Sequence, residues 1–208
     1  LLIPFALYGA WRYRVSRTSW RGIFFSFDGR FSEFLKLFIK EVFFTIITFG
    51  IYMPWMRVNL QKYLFAHTKI GDIRFQFHGK GSDLFVINLI LGLLLYPTLF
   101  MYVPIWIKNR FNFTINHTSM SDGKNKALLH SYLSSGTAWK TLMLNAVLLV
   151  FTLGLAFPWT YMRTLDMYFN NVYLPEDFDY DNLTQSEKDY RDASGDEMLD
   201  ILDMGIDF

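Results

Sequence analysis

Apolar positions in this chain gather into long runs, and the first two are each followed by a polar stretch that ends in alternating aromatic residues. Leu84–Ile107 carries no charged residue, and neither does Thr141–Trp159. Phe34–Trp55 is a third apolar run, with Lys36, Lys40 and Glu41 confined to its first third. Leu1–Ala10 reads as the end of a fourth, because Pro4 stands where the other runs close. Runs of this length match a helix crossing roughly 30 Å of hydrocarbon, so 1–10, 34–55, 84–107 and 141–159 are the expected membrane spans. Long charged side chains near a span end can reach back to headgroups, which accommodates Lys36, Lys40 and Glu41. Phe25 and Phe27, like Phe75 and Phe77, stand two apart with glycines on either side, the pattern of a short half-buried strand. Strands are expected at Ile23–Phe27 and Ile73–Phe77.

These elements recur. Thr48, Gly50, Pro54 and Trp55 return as Thr152, Gly154, Pro158 and Trp159, and each set closes an apolar run. Thr18, Ile23, Phe25, Phe27 and Gly29 fall on Thr68, Ile73, Phe75, Phe77 and Gly79 at a constant offset, which also sets Pro104 on Pro54 and His117 on His67. Self-similarity at a fixed period decides the fold class before anything else does. The expectation is a mainly α, multi-pass membrane fold of helix–strand units of about 50 residues, with short β-strands in the loops outside the membrane. Residues 1–180 would form this repeated membrane domain and 181–208 an acidic C-terminal tail. The chain begins at Leu within a helix, so a longer parent protein is expected.

Composition agrees with a membrane setting. Hydrophobic residues make up 52% and aromatic residues 19%, including 22 Phe, 12 Tyr and 6 Trp, and Tyr and Trp favour membrane interfaces. Cysteine is absent, which excludes disulfides, thiol chemistry and cysteine zinc sites. The net charge of +1 hides an asymmetry. Trp11–Ser32, Met56–Asp83 and Lys108–Ala138 are basic, whereas Arg163–Phe208 holds 13 acidic residues against three basic ones. If every run crossed the membrane once, the basic loops would alternate sides, against the positive-inside tendency. Either the units are inverted with a weak bias, or some runs re-enter and the basic strands gather on one face. Simple spans are the expectation.

Candidate chemistry is sparse. His67 and His117, with Asp72 and Asp122, could ligate a metal, but Arg17 fills the same slot in the first unit and cannot. Closure of the turn between helix and strand is the better account of both histidines. No nucleophile elbow, zinc-protease helix or phosphate loop is present, so no catalytic residue, cofactor or metal is expected. Trp11–Arg21 interleaves aromatic and basic residues, but beside a membrane run it fits anionic headgroups better than nucleic acid. Asn88 and Asn145, the polar residues of note within the uncharged runs, are expected to bond between helices.

The motifs Thr48–Trp55, Tyr63-Leu64-Phe65-Ala66-His67-Thr68, Arg74-Phe75-Gln76-Phe77-His78-Gly79 and Arg17–Ile23 together resemble the YjgN-like family of bacterial inner-membrane proteins (domain of unknown function 898). The resemblance covers roughly Leu1–Tyr180. It departs in the third unit, where no Phe-x-Phe-x-Gly follows Asp122. It implies a multi-pass protein of the bacterial inner membrane with no assigned activity and no catalytic residues to carry over. The expected function is a non-enzymatic membrane scaffold or interaction protein. In it Arg12, Arg14, Arg17, Lys62 and Arg74 meet lipid headgroups or the acidic tail, and the tail meets these basic loops or a protein partner. The alternative is a transporter or channel with a passage between pseudo-symmetric units near Asn88, Asn145 and Thr48.

Overall fold

The computed structural model describes residues 2–20, 22–123 and 125–175. The acidic tail, 181–208, lies outside the described residues. Among them the chain is mainly helical with short strands. The elements are α1 Leu2–Ser16, β1 Ser19–Trp20, β2 Ile23–Phe27, α2 Phe31–Ile47, α3 Met53–Ala66, β3 Thr68–Ile70 and β4 Ile73–Phe77. They continue with α4 Gly81–Leu94, α5 Val103–Asn116, β5 Thr118–Ser121, β6 Lys126–Leu128, β7 His130–Ser131, α6 Ser135–Phe151, α7 Phe157–Phe169 and β8 Val172–Tyr173.

The strands at Ile23–Phe27 and Ile73–Phe77 form as the alternation predicts. In β4 the odd positions Ile73 and Phe77 are buried while Arg74 and Gln76 are exposed. The apolar runs behave differently from the expected spans. No helix among the described residues is long and apolar enough to cross a membrane. The run 34–55 divides between α2 and α3, 84–107 between α4 and α5, and 141–159 between α6 and α7, while 1–10 is only part of α1. Each of the three divided runs folds back as a helical hairpin. In the first, Glu41 faces Asn59, Thr45 faces Met56 and Phe34 faces Tyr63, the pairing of antiparallel neighbours.

The structure falls into two compact units. The first comprises residues 2–77 with Met120–Ala127. Its sheet runs β1-β2-β3-β4-β5-β6, the last two entering through Met120–Ala127. Strands β2 and β3 pair antiparallel with Phe25 opposite Ile70 and Phe27 opposite Thr68. Tight turns at Gly22 (φ 82°) and Gly71 (φ 53°) close the flanking strand pairs β1–β2 and β3–β4. A core of Tyr8, Phe27 and Phe34, with Trp11, Phe38, Leu60 and Tyr63 packed against it, joins α1, the start of α2 and the end of α3 to the strands. Gly29 is required there by space, since a Cβ would lie 2.6 Å from the Phe27 ring. Tyr8 donates from its hydroxyl to the Gly29 carbonyl at 2.6 Å, which fixes the same corner.

The second unit comprises His78–Ser119 with 128–175. Here α5 packs on α6, α6 on α7 and β7 on β8. Its core joins Leu133, Ala138 and Met167 with Phe111 and Tyr168. Those residues come from the end of α5, the start of α6 and the end of α7. In both units, therefore, the packed core lies at the base of the hairpins, and the turns lie at the opposite ends of the helices.

Candidate functional site

The Thr-x-Gly-x-x-x-Pro-Trp motif is a helix reversal. At the end of α2, Phe49 (φ 51°) and Gly50 (φ 88°) turn left-handed. Phe49 N–H then donates to Ile46 C=O at 3.0 Å and Gly50 N–H to Thr45 C=O at 2.8 Å. These are the two bonds of a Schellman closure, which satisfies carbonyls that the helix end would otherwise leave open. Thr48 ties the two helices: its hydroxyl donates to Phe44 C=O at 2.8 Å and accepts the Tyr52 N–H at 3.1 Å. Pro54 sits in the first turn of α3, where its missing N–H is not needed.

Thr152 makes the same pair of bonds, to Leu148 C=O and from Ala156 N–H, and Gly154 (φ 90°) closes onto Leu149 C=O at 2.8 Å. A third turn of this kind stands at Thr98, whose hydroxyl bonds Leu94 C=O and accepts the Tyr102 N–H. Sequence reading passed over this turn because Phe100 (φ 67°) occupies the glycine place and Ile105 the tryptophan place. Its remaining signals were Thr98 and Pro104 at the same offset from Thr48 and Pro54. The backbone makes each run reverse. Two successive left-handed residues and a helix-starting proline cannot be accommodated in one straight helix.

The turn tips are apolar and bare. Phe49 is 98% exposed, Leu99 80% and Leu153 94%. Ile51, Met53, Phe100, Met101, Leu155 and Phe157 are exposed beside them. Trp159 is exposed as well, while Trp55 stacks on Tyr52 at 5.9 Å.

Each hairpin also holds a polar bond between its helices. Asn59 Nδ2 donates to Glu41 Oε2 at 3.0 Å, Trp106 Nε1 to Asn88 Oδ1 at 3.0 Å, and Asn145 Nδ2 to Thr160 C=O and Thr164 Oγ1, both at 3.0 Å. The asparagines thus bond between helices, as the sequence suggested. Glu41 differs from its expected role. It is 1% exposed, not extended toward headgroups, because it lies on the face of α2 turned toward α3. Lys36 and Lys40 remain exposed on α2.

The predicted basic contacts do not gather into one pocket. Arg12 and Arg14 lie on the last turns of α1, and Arg17, just past its end, holds its guanidinium 5.8 Å over the Tyr13 ring. Lys62 is exposed on α3. Arg74, on β4, pairs with Asp28 at 3.3 Å across the sheet. Both histidines close turns: Nδ1 of His67 lies 2.8 Å from Tyr63 C=O, and Nδ1 of His117 lies 2.8 Å from Phe113 C=O. Among the described residues no cluster of three His, Asp or Glu side chains could hold a metal. Tyr63, pushed up in pKa by burial, donates to Arg30 C=O at 2.8 Å and accepts its N–H at 2.9 Å.

Comparison with known proteins places the sequence in a family. The chain is 34% identical over 62 residues to the inner membrane protein YjgN of Escherichia coli (strain K12), a match covering 30% of this chain and 16% of that protein. The inner membrane protein YjgN of Escherichia coli O157:H7 is 33% identical over 61 residues, covering 29% of this chain and 15% of that protein. The matches thus span about a sixth of these relatives' length. No solved structure matches. The family model described as bacterial protein of unknown function (DUF898) matches residues 1–107 and again 83–201. With nearly the whole chain covered by that model, the chain belongs to the YjgN-like DUF898 family of bacterial proteins.

Proposed function

We propose that this chain is a non-enzymatic scaffold of the bacterial inner membrane, built from repeated helix–strand units. The hairpin tips anchor it, and its basic strands and acidic tail form the interaction surface. The observation that carries this reading is the near-complete exposure of Phe49, Leu99 and Leu153 at rigidly bonded turns. Large apolar side chains clustered and held out in this way mark a surface that meets an apolar phase or a partner. The relatives' names, inner membrane proteins, support the bilayer as that phase. Arg12, Arg14, Arg17 and Lys62 would contact headgroups or the tail, each contributing about 1 kcal/mol near an anionic surface.

A passage between units has weaker support, because Thr48, Asn88 and Asn145 are each engaged in bonds within their own hairpins. The tail is acidic, so opposite charge favours docking on the basic loops or a basic protein over docking on an anionic leaflet. Deleting Gln185–Phe208 from the full-length protein should leave membrane association unchanged and remove a partner that co-purifies with the intact chain. A truncated protein that keeps every partner overturns the interaction role.

A further inference from the structure

The hairpins carry their charges at a consistent depth. Counted from the first residue of the second helix, the first charged residue is Arg57 in α3, Lys108 in α5 and Arg163 in α7. At 1.5 Å per residue these lie about 6–9 Å below the tip end of their helices. All three are basic. On the first helices the nearest charges are Glu41, buried against Asn59, and the exposed Lys40 in α2, Asp83 in α4 and Lys140 in α6, about 9–17 Å from the helix end. Between tip and charge the outward surface is apolar: Phe43, Ile46 and Ile47 on α2, and Val147, Val150 and Phe151 on α6.

An apolar cap of this depth over a cation matches half a bilayer. The hydrocarbon core is roughly 30 Å thick, so one leaflet offers about 15 Å, and interfacial elements sink about 5–10 Å beyond the headgroups. Arginine and lysine stems lengthen the reach by keeping the charged end at the phosphate level. We propose that each hairpin is a single-leaflet wedge in an anionic phospholipid membrane. Its tip lies among the acyl chains of one leaflet, Arg57, Lys108 or Arg163 meets the phosphates of that leaflet, and both helix bases stay on the side of entry. The proposal rests on the membrane anchoring argued above and adds its depth and sidedness. It also explains why Phe100 is kept in a left-handed conformation that glycine would adopt without strain, since a phenyl group at the tip adds apolar surface to the wedge.

These 208 residues contain no cysteine, so once any cysteine elsewhere in the full-length protein is changed to serine, each introduced thiol reports a single position. Single substitutions Phe49→Cys, Leu99→Cys and Leu153→Cys report the tips, and Ser32→Cys, Ala66→Cys, Ser135→Cys and Asn170→Cys report the bases of two hairpins. The full-length protein is reconstituted into sealed vesicles of phosphatidylethanolamine and phosphatidylglycerol. A membrane-impermeant maleimide is then added outside or inside. The expected result has each base pair labelled from one common side, with tip labelling at least about tenfold slower than in detergent from either side. A fluorophore at the tips should be quenched by lipids carrying a nitroxide in the upper half of the acyl chain. Tips labelled rapidly from the side opposite the bases overturn the single-leaflet wedge while leaving membrane anchoring intact. Tips labelled rapidly from the same side as the bases overturn both.

Discussion

A threonine hydroxyl does unusual work in these hairpins. Thr48, Thr98 and Thr152 each satisfy a carbonyl at the end of one helix and an N–H at the start of the next. Replacing Thr152 by Ala removes one such bond and leaves an N–H to find water, a loss of about 1 kcal/mol. The thermal midpoint of the detergent-solubilised chain should fall by about 2–4 °C, and Thr152→Ser should restore most of it. Phe100→Gly should act in the opposite direction. A left-handed non-glycine residue is strained by about 1–2 kcal/mol, so its relief should raise the midpoint. Glu41 provides a third test, because its carboxylate is buried and accepts from Asn59. Asn59→Ala strips that donor and should destabilise by about 1–3 kcal/mol, whereas Glu41→Leu with Asn59→Leu should recover much of the loss. If the double substitution is as damaging as the single one, the pair is not the unit argued here.

At the scale of the element, folding and anchoring separate. The tip residues make little contact with the rest of the chain, Phe49 and Leu153 being almost wholly exposed. The triple variant Phe49→Asp, Leu99→Asp, Leu153→Asp should therefore keep its helical circular dichroism and its thermal midpoint in detergent. It should leave the membrane fraction for the soluble fraction, because each charge moved toward the bilayer centre is opposed by about 2.5–3.5 kcal/mol. Retention in the membrane would mean that other surfaces anchor the chain. The elements were unevenly legible beforehand. Ile23–Phe27 and Ile73–Phe77 could be read because period-two alternation and flanking glycines are local signals. The reversals at Thr48–Tyr52 and Thr152–Ala156 could not, because an apolar run closed by Gly and Pro fits a span that ends as well as one that turns back. Glu41 was misplaced for a related reason: sequence gives its distance from the run's end and not the helix face it occupies.

For the whole molecule, the asymmetry between basic strands and acidic tail makes one further expectation specific. Loss of the partner on deleting Gln185–Phe208 should be reproduced in the intact chain by raising the salt to about 1 M, where the screening length falls to about 3 Å. Partner binding that survives high salt but needs the tail would make the contact apolar, with Met198, Leu199, Ile201 and Leu202 as its residues of choice.

The sequence alone determined that the chain is mainly helical with short strands and that Thr, Gly and Pro close its apolar runs, and its motifs carry the resemblance to the YjgN-like proteins. The helices, strands and run ends follow from short-range periodicity and backbone preferences, which act within a few residues. Tertiary structure decided that each apolar run folds back on itself, that Glu41 points inward toward Asn59, and that Phe49, Leu99 and Leu153 stand clear of both cores. Those outcomes depend on pairing between helices and on hydrogen bonds closed across the turn. A linear pattern of apolar residues is the same whether its second half continues or returns.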